Sequence, residues 1–287
     1  MTLSTQPVPY SGDDISAAIL MPVYRKDDPD HLILALEAIV DKQTRRPDLV
    51  LVVQDGPLTG PLEQALLDYA ARCPCGFETL KLPENVGLSM ALRTGAERLV
   101  GQVDYIIRTD ADDISRPERI AEQLAYMQNE PEIGLASSQV AIFEGSAENQ
   151  TGNRHLPFDG SIEAFARMRT PINHSAAIFR AKVLETVSYP ETRLPFEDWW
   201  VSLRVMQSGW KLGVIDKEHL DFRGGDEMIA RRRGLSYLRQ EFRFFGLVWA
   251  EGLMSGGLVL RNLGVRAMLR LIPARMLETL YKRVIHR

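Results

Sequence analysis

Two wholly apolar runs with one helical repeat between them constrain this chain more than any other feature. Ala17-Ala18-Ile19-Leu20-Met21, ended by Pro22, and Leu49-Val50-Leu51-Val52-Val53, ended by Gln54-Asp55-Gly56-Pro57, leave no polar side chain to face water. Strands of that kind are buried on both faces, the condition of a parallel sheet with helices on each side. Between them Leu32, Leu36 and Ile39 or Val40 recur at helical spacing, so the segment reads strand, helix, strand. The alternation continues with a helix carrying Leu62, Leu66 and Tyr69, a strand near 77–82, a helix over 88–99 and the strand Tyr105-Ile106-Ile107. The pattern predicts an α/β fold whose first half, 17–115, binds a nucleotide.

Past Pro117 a helix carries Ile120, Leu124 and Met127, followed by the apolar stretch 133–143 and then a Gly, Ser, Asn and Pro-rich tract to about Gly160 that reads as a loop or an irregular sheet edge. The half 116–230 mixes short helices and strands, 197–208 being its clearest helix. The expected organisation is a flexible N-terminus over 1–16, a catalytic domain over 17–230 and a basic helical segment over 231–287. That last segment holds twelve Arg or Lys against Glu241, Glu251 and Glu278, whereas the residues before it hold 22 basic and 35 acidic side chains. Cys73 and Cys75 read as reduced structural thiols too close for an easy disulfide, with no further Cys to complete a zinc site. No basic region followed by an unbroken apolar stretch opens the chain, which points to cytoplasmic residence. The apolar stretch 244–260, broken by Glu251, Ser255 and four glycines, is a weak membrane span.

Ligands of open α/β sheets bind beyond the carboxyl ends of the strands, where Tyr24, Asp55 and the run Asp110-Ala111-Asp112-Asp113 all fall. Three carboxylates after a buried strand repel one another unless a hard cation neutralises them. The same run would also cap a helix beginning near Pro117. Calcium-loop spacing is excluded, because Ser115 and Ala121 stand where it needs Gly and Glu. The dinucleotide, P-loop and serine-hydrolase glycine motifs are absent.

Four segments in order, Ile19-Leu20-Met21-Pro22-Val23-Tyr24, Val53-Gln54-Asp55-Gly56-Pro57, Asn85-Val86-Gly87-Leu88 and Arg108-Thr109-Asp110-Ala111-Asp112-Asp113, resemble the family 2 glycosyltransferases. The resemblance covers roughly 17–245 and is nearest to bacterial enzymes of the amylovoran, lipopolysaccharide and O-antigen type. It implies the GT-A fold, a Rossmann-like mixed, mainly parallel sheet flanked by helices, here followed by the C-terminal helical basic segment. It implies an inverting transfer from a nucleotide sugar, with UDP as the nucleotide, using Mn²⁺ or Mg²⁺. Carried onto this chain, Pro22, Tyr24, Asp55, Asn85, Arg108 and Asp110 belong to the donor site, and Asp112 with Asp110 to the metal. Gln54 departs from the family's Asp-Asp-Gly-Ser pattern, and a turn role before Gly56-Pro57 serves Asp55 equally.

Phe196-Glu197-Asp198-Trp199-Trp200 resembles the family's Glu-Asp motif, which implies Asp198 as the catalytic base, an orienting role for Glu197 and Trp199 on the acceptor side. Two acids at a helix N-terminus with tryptophans in the core fit the same residues. Asn173 and His174 precede a predicted buried strand, in a segment that lines the acceptor cavity in related transferases, though a structural histidine also suits that position. His219 would complete a metal shell as in some relatives, or lie at the surface. Arg231-Arg232-Arg233 resembles a basic motif of the subgroup that pairs with the donor diphosphate through Arg232, or simply starts a solvated helix.

Arg261, Arg266, Arg270, Arg275, Lys282, Arg283 and Arg287 punctuate an apolar stretch, a pattern suited to an anionic inner-membrane surface. It equally suits a terminal helix pair or a homodimer contact. The sequence thus predicts a cytoplasmic hexosyltransferase, peripheral at the inner face of the plasma membrane. It would move a hexose or N-acetylhexosamine to a glycan or lipid-linked acceptor, with no nucleic acid partner. The alternatives are a nucleotidyltransferase, which would need a Gly-rich phosphate loop where Met21-Pro22-Val23-Tyr24-Arg25 stands, and a noncatalytic scaffold binding nucleotide sugar or membrane.

Overall fold

The computed structural model describes residues 15–158, 160–191, 196–224 and 234–271. The chain divides into two compact units, Met1–Gly224 and Gly225–Arg287.

In the first unit β1 (Ala17–Val23), β2 (Leu49–Gln54), β3 (Gly76–Lys81) and β4 (Tyr105–Arg108) run parallel in the order β3-β2-β1-β4. Helices α1 (Pro29–Leu36), α2 (Gly60–Ala70) and α3 (Leu88–Leu99) make the crossovers. Period-two alternation assigns the apolar runs to two cores. Ala18, Leu20, Leu51 and Val53 meet Ala91, Leu92, Ala96 and Leu99 of α3 on one face. Ala17, Ile19, Met21, Val50 and Val52 meet Leu32 and Leu36 of α1 and Leu62, Leu66 and Tyr69 of α2 on the other. One boundary differs from the sequence reading: β1 continues through Pro22 to Val23. Pro22 lies beyond the last β1–β4 pair, Leu20 with Arg108, where a strand tolerates a residue without an N–H.

The sheet then turns mixed. It continues from β4 through β8 (Ile178–Arg180), β6 (Ile133–Phe143) and β9 (Lys211–Arg223) to β5 (Ile114–Ser115), with β7 (Gln150–Arg154) pairing β6. β8 is antiparallel to β4 and β6, β9 is antiparallel to β5, and β6 and β9 run parallel. Three shifts of register interrupt that long parallel pair between Ile133 and Val140. Helices α4 (Arg119–Asn129), α5 (Ile162–Ala166) and α6 (Glu197–Gln207) belong to this half. The tract rich in Gly, Ser and Asn is the solvent-facing edge strand β7.

The second unit contains α7 (Gly234–Ala250) and α8 (Gly256–Leu271). A buried carboxylate, Glu241, pairs with Arg266 at 2.7 Å, and the Arg266 guanidinium lies over the Phe245 ring. Among the described residues no helix is long and apolar enough to cross a membrane.

At Gly95 α3 lies hard against the sheet. A Cβ there would lie 2.4 Å from Leu20 Cδ1 and 2.7 Å from Val53 Cγ2. Gly95→Ala should therefore destabilise the first unit by about 1–3 kcal/mol despite its better helix propensity. Urea denaturation of the variant beside wild type checks this.

Candidate active site

The loops that follow β1, β2, β3 and β4 open at the same end of the sheet, so residues far apart in sequence meet there. After β1 the chain turns sharply: the Tyr24 N–H donates to Asp27 Oδ2 at 2.8 Å and the Asp27 N–H returns to the Tyr24 carbonyl at 3.0 Å. Asp28 then caps α1 by accepting the N–H groups of Asp30 and His31. The turn leaves Tyr24 39% exposed. Burial raises the Asp27 carboxyl to about 7, and the charges of Asp112 and Asp110 add to the shift.

After β2, Asp55 is buried and spends both carboxylate oxygens inside the protein. It accepts from Asn85 Nδ2 at 2.8 Å, from the Val86 N–H at 2.7 Å and from the Gly87 N–H at 3.0 Å. Gly56 makes this approach possible. Its φ is +85°, and a Cβ on it would sit 2.6 Å from the Asn85 nitrogen. Asp55 and Asn85 thus lock the loops after β2 and β3 to each other.

After β4, Arg108 is 2% exposed and grips Asp110 with both terminal nitrogens, at 2.7 and 2.6 Å. Asp113 is buried and accepts the Arg223 N–H at 2.9 Å, while Arg223 Nε donates to the Asp112 carbonyl. The end of β9 therefore clips the acidic loop. Burial, followed by the neighbouring Asp110 charge, raises both Asp112 and Asp113. The helix-cap explanation of this run does not hold: α4 begins at Arg119 with Glu118 at its N-cap, and no side chain caps it.

The second constellation faces the first. Phe196, at φ +72°, starts α6 from the left-handed region that a phenylalanine rarely adopts, and the first turn carries Glu197 and Asp198. Asp198 accepts from the Thr170 hydroxyl and the Trp199 N–H, both at 2.8 Å. His174 places Nδ1 3.5 Å from Glu197 Oε1 and Nε2 3.0 Å from the Tyr189 hydroxyl. Burial, then the Arg108 charge, lowers His174 to about 3, so its ring is neutral at working pH. Burial raises the Glu197 carboxyl, with the Arg108 charge opposing and that of Asp110 adding. Arg108, Asp110, His174, Glu197 and Asp198 thus share one electrostatic neighbourhood.

Three positions are corrected. Trp199, expected on the acceptor side, is 2% exposed and donates its indole N–H to the Ala166 carbonyl at 2.6 Å, which makes it a core anchor. Asn173 is buried with its amide donating to the Ser138 and Arg154 carbonyls, so it braces β6 against β7. His219, expected as a metal ligand, is 1% exposed and has Nε2 2.8 Å from Glu122 Oε2 on α4. Arg232 lies outside the described residues. Sequence reasoning missed Asp27, hidden in a helix-start signal at Asp28-Pro29, and Tyr189, which no local motif marks.

A cation would meet hard oxygen donors here, the right chemistry for Mg²⁺ or Mn²⁺. Among the described residues no group of three His, Cys, Asp or Glu side chains could hold a metal alone. Mg²⁺ is commonly bound by one or two carboxylates plus substrate phosphates, which does not require such a group. Buried aspartates raised by one another's charge fit that arrangement.

Comparison with known proteins agrees with this architecture. The family model "Glycosyl transferase family 2" matches residues 18–187. The chain is 32% identical over 271 residues to the amylovoran biosynthesis glycosyltransferase of Erwinia amylovora, covering 93% of this chain and 98% of that one. It is 29% identical over 278 residues to the UDP-Gal:alpha-D-GlcNAc-diphosphoundecaprenol beta-1,3-galactosyltransferase of Escherichia coli, covering 96% and 99%. Among solved structures, GalNAc-T7 with UDP, GalNAc and Mn²⁺ superposes with a TM-score of 0.60 at 13% identity, over 75% of this chain and 45% of that one, and so shares the GT-A-like fold. With a family model spanning more than half its length and a full-length relative above 30% identity, the chain belongs to glycosyl transferase family 2.

Proposed function

We propose that this protein transfers a hexose or N-acetylhexosamine, with inversion, from a UDP-sugar to a glycan or lipid-linked acceptor in bacterial surface polysaccharide synthesis. The observation that carries the reading is the convergence of Arg108, Asp110, His174, Glu197 and Asp198 at the carboxyl end of the sheet. The Escherichia coli relative is named for a UDP-galactose donor and a diphosphoundecaprenol acceptor, and the Erwinia relative for amylovoran synthesis.

In this reading Tyr24, exposed beyond β1, supplies a face for the base, and Asp55 with Asn85 holds the donor loops in shape. Pro22 stands one residue before the end of β1. Arg108 keeps the Asp110 carboxylate directed at the donor. The acceptor hydroxyl gives its proton to Asp198, its oxygen attacks the anomeric carbon from the opposite face, and the bond to the diphosphate breaks with the electron pair leaving on UDP. Thr170 and the Trp199 N–H fix the Asp198 carboxylate for that proton. Glu197, held against His174, orients the acceptor. Asp112, with Asp110, would hold Mn²⁺ or Mg²⁺, which when bound would neutralise charge on the diphosphate.

The reading extends to a surface. In the second unit Phe242, Trp249, Leu260, Val265 and Met268 are exposed, Trp249 by 63%, beside exposed Arg239, Arg243 and Arg261. Aromatic and aliphatic side chains interleaved with arginines suit the headgroup region of an anionic bilayer.

Incubating the protein with a panel of nucleotide sugars should give UDP release from one donor with Mn²⁺ or Mg²⁺, and none with EDTA or in Asp112→Ala. In the same assay Asp198→Asn should lower kcat at least about a hundredfold. A panel in which no donor turns over under any metal condition would overturn the proposal. The pH profile is a separate check. Glu197 acts ionised and its pKa is raised above the ordinary 4.5, so kcat/KM should fall with acidification at a pH above that value, and Glu197→Gln should change the shape of that acid limb. Flotation with vesicles tests the surface: binding to anionic but not zwitterionic vesicles, weakened roughly tenfold by Trp249→Ala and by salt, is expected.

A further inference from the structure

Cys73 and Cys75 flank Pro74 where α2 gives way to β3, at the opposite end of the sheet from the loops that carry Tyr24, Asp55 and the aspartates. No step of the transfer uses them. Their sulfurs lie 3.6 Å apart, in mutual hydrogen-bond contact. Both thiols pack against the core under α2, yet each keeps part of its surface open to solvent. Pro74 fixes the backbone torsion between them, so the two side chains are held on one side of the turn with little freedom to part.

The pair is also chemically asymmetric. The Cys75 thiol and its backbone N–H hydrogen-bond to Cys73 and, with help from the Arg72 charge, bring Cys73 down to about 7. Its thiolate is therefore available at neutral pH, and the thiolate is the reactive form in disulfide exchange. Its hydrogen bond to Cys73, followed by burial, pushes Cys75 the other way. An attacking thiol beside a protonated resolving thiol is the arrangement that two-step exchange needs.

We propose that Cys73 and Cys75 are a reversible dithiol–disulfide pair, a modification site that exchanges with small-molecule disulfides. The Cys73 thiolate attacks one sulfur of the disulfide RSSR, forming a mixed disulfide and releasing RS⁻. That thiolate takes the Cys75 proton, and Cys75 Sγ attacks Cys73 Sγ, forming the internal bond and releasing the second RS⁻, which takes a proton from water. Two protein thiols are oxidised and one small disulfide is reduced to two thiols. The sulfurs must close from 3.6 Å to about 2.05 Å to form the bond.

The test is intact-protein mass spectrometry of the full, pre-reduced chain incubated with oxidised glutathione, then treated with iodoacetamide. Wild type should lose two hydrogens, take up no alkyl label and recover both thiols on reduction with dithiothreitol. Cys75→Ser should stop at the mixed disulfide and retain one glutathionyl group. Cys73→Ser should react about tenfold more slowly, because the acidic thiol is gone. A wild-type protein that stays fully alkylatable, or that accumulates glutathionyl groups without forming the internal bond, would overturn the proposal. The wild-type result is decisive even if a variant folds poorly.

Discussion

The buried grip of Arg108 on Asp110 is the interaction around which the rest of the site is arranged. A guanidinium at the end of a central strand, shielded from water, is tolerable only with a carboxylate in bidentate contact, and removing one partner would strand the other's charge. That single positive charge acts in both directions. It opposes the burial that raises Glu197, and it helps to keep His174 neutral. The backbone beneath is braced by a second buried arginine: Arg119 of α4 donates to the Arg108 and Ser175 carbonyls and to the Ser115 hydroxyl. One helix thereby fixes the strand end, the acidic loop and the turn that presents His174.

Rigidity elsewhere in the site comes from carboxylates used as structural ties. Asp55 closes the loop after β3 onto the loop after β2, and Asp27 closes its own turn beneath Tyr24. A side chain that accepts several N–H bonds fixes the backbone of a loop more firmly than packing alone. The exposed groups, Tyr24 above all, are left to make contact. A division between residues that shape the site and residues that touch the ligand follows from burial and hydrogen bonding.

What could be read in the sequence and what could not divide along the same line. The first four strands and three helices were legible because each announces itself locally: 17–21 and 49–53 are continuous apolar runs, and 88–99 is a periodic helix. The Asp110 run stood out because charge after a buried strand is conspicuous, and the Glu197-Asp198 pair because it opens a helix. Strand β9 was not. Its residues, from Lys211 through Asp216-Lys217-Glu218 to Arg223, carry too much charge for a buried strand, and it is held by pairing with β6, far back in the chain. Trp199 misled because an aromatic beside two acids suggests a ligand platform, while the fold uses its indole N–H to tie α6 to α5. Tyr189 and Thr170 sit in irregular chain, where only three-dimensional contact reveals a partner.

The long parallel pair of β6 and β9 also sets an order of assembly. Strands 17–54 and their helices can pair as soon as they are made, since their contacts are close in sequence. The acidic loop cannot be closed until Arg223, the last residue of β9, is available to bind Asp113 and the Asp112 carbonyl. On a ribosome, the first parallel strands would thus be built long before the loop is clipped, and contacts that span such distances are the slow ones to form. A nascent chain arrested short of residue 223 would carry the recognisable motifs of a transferase and lack its finished centre.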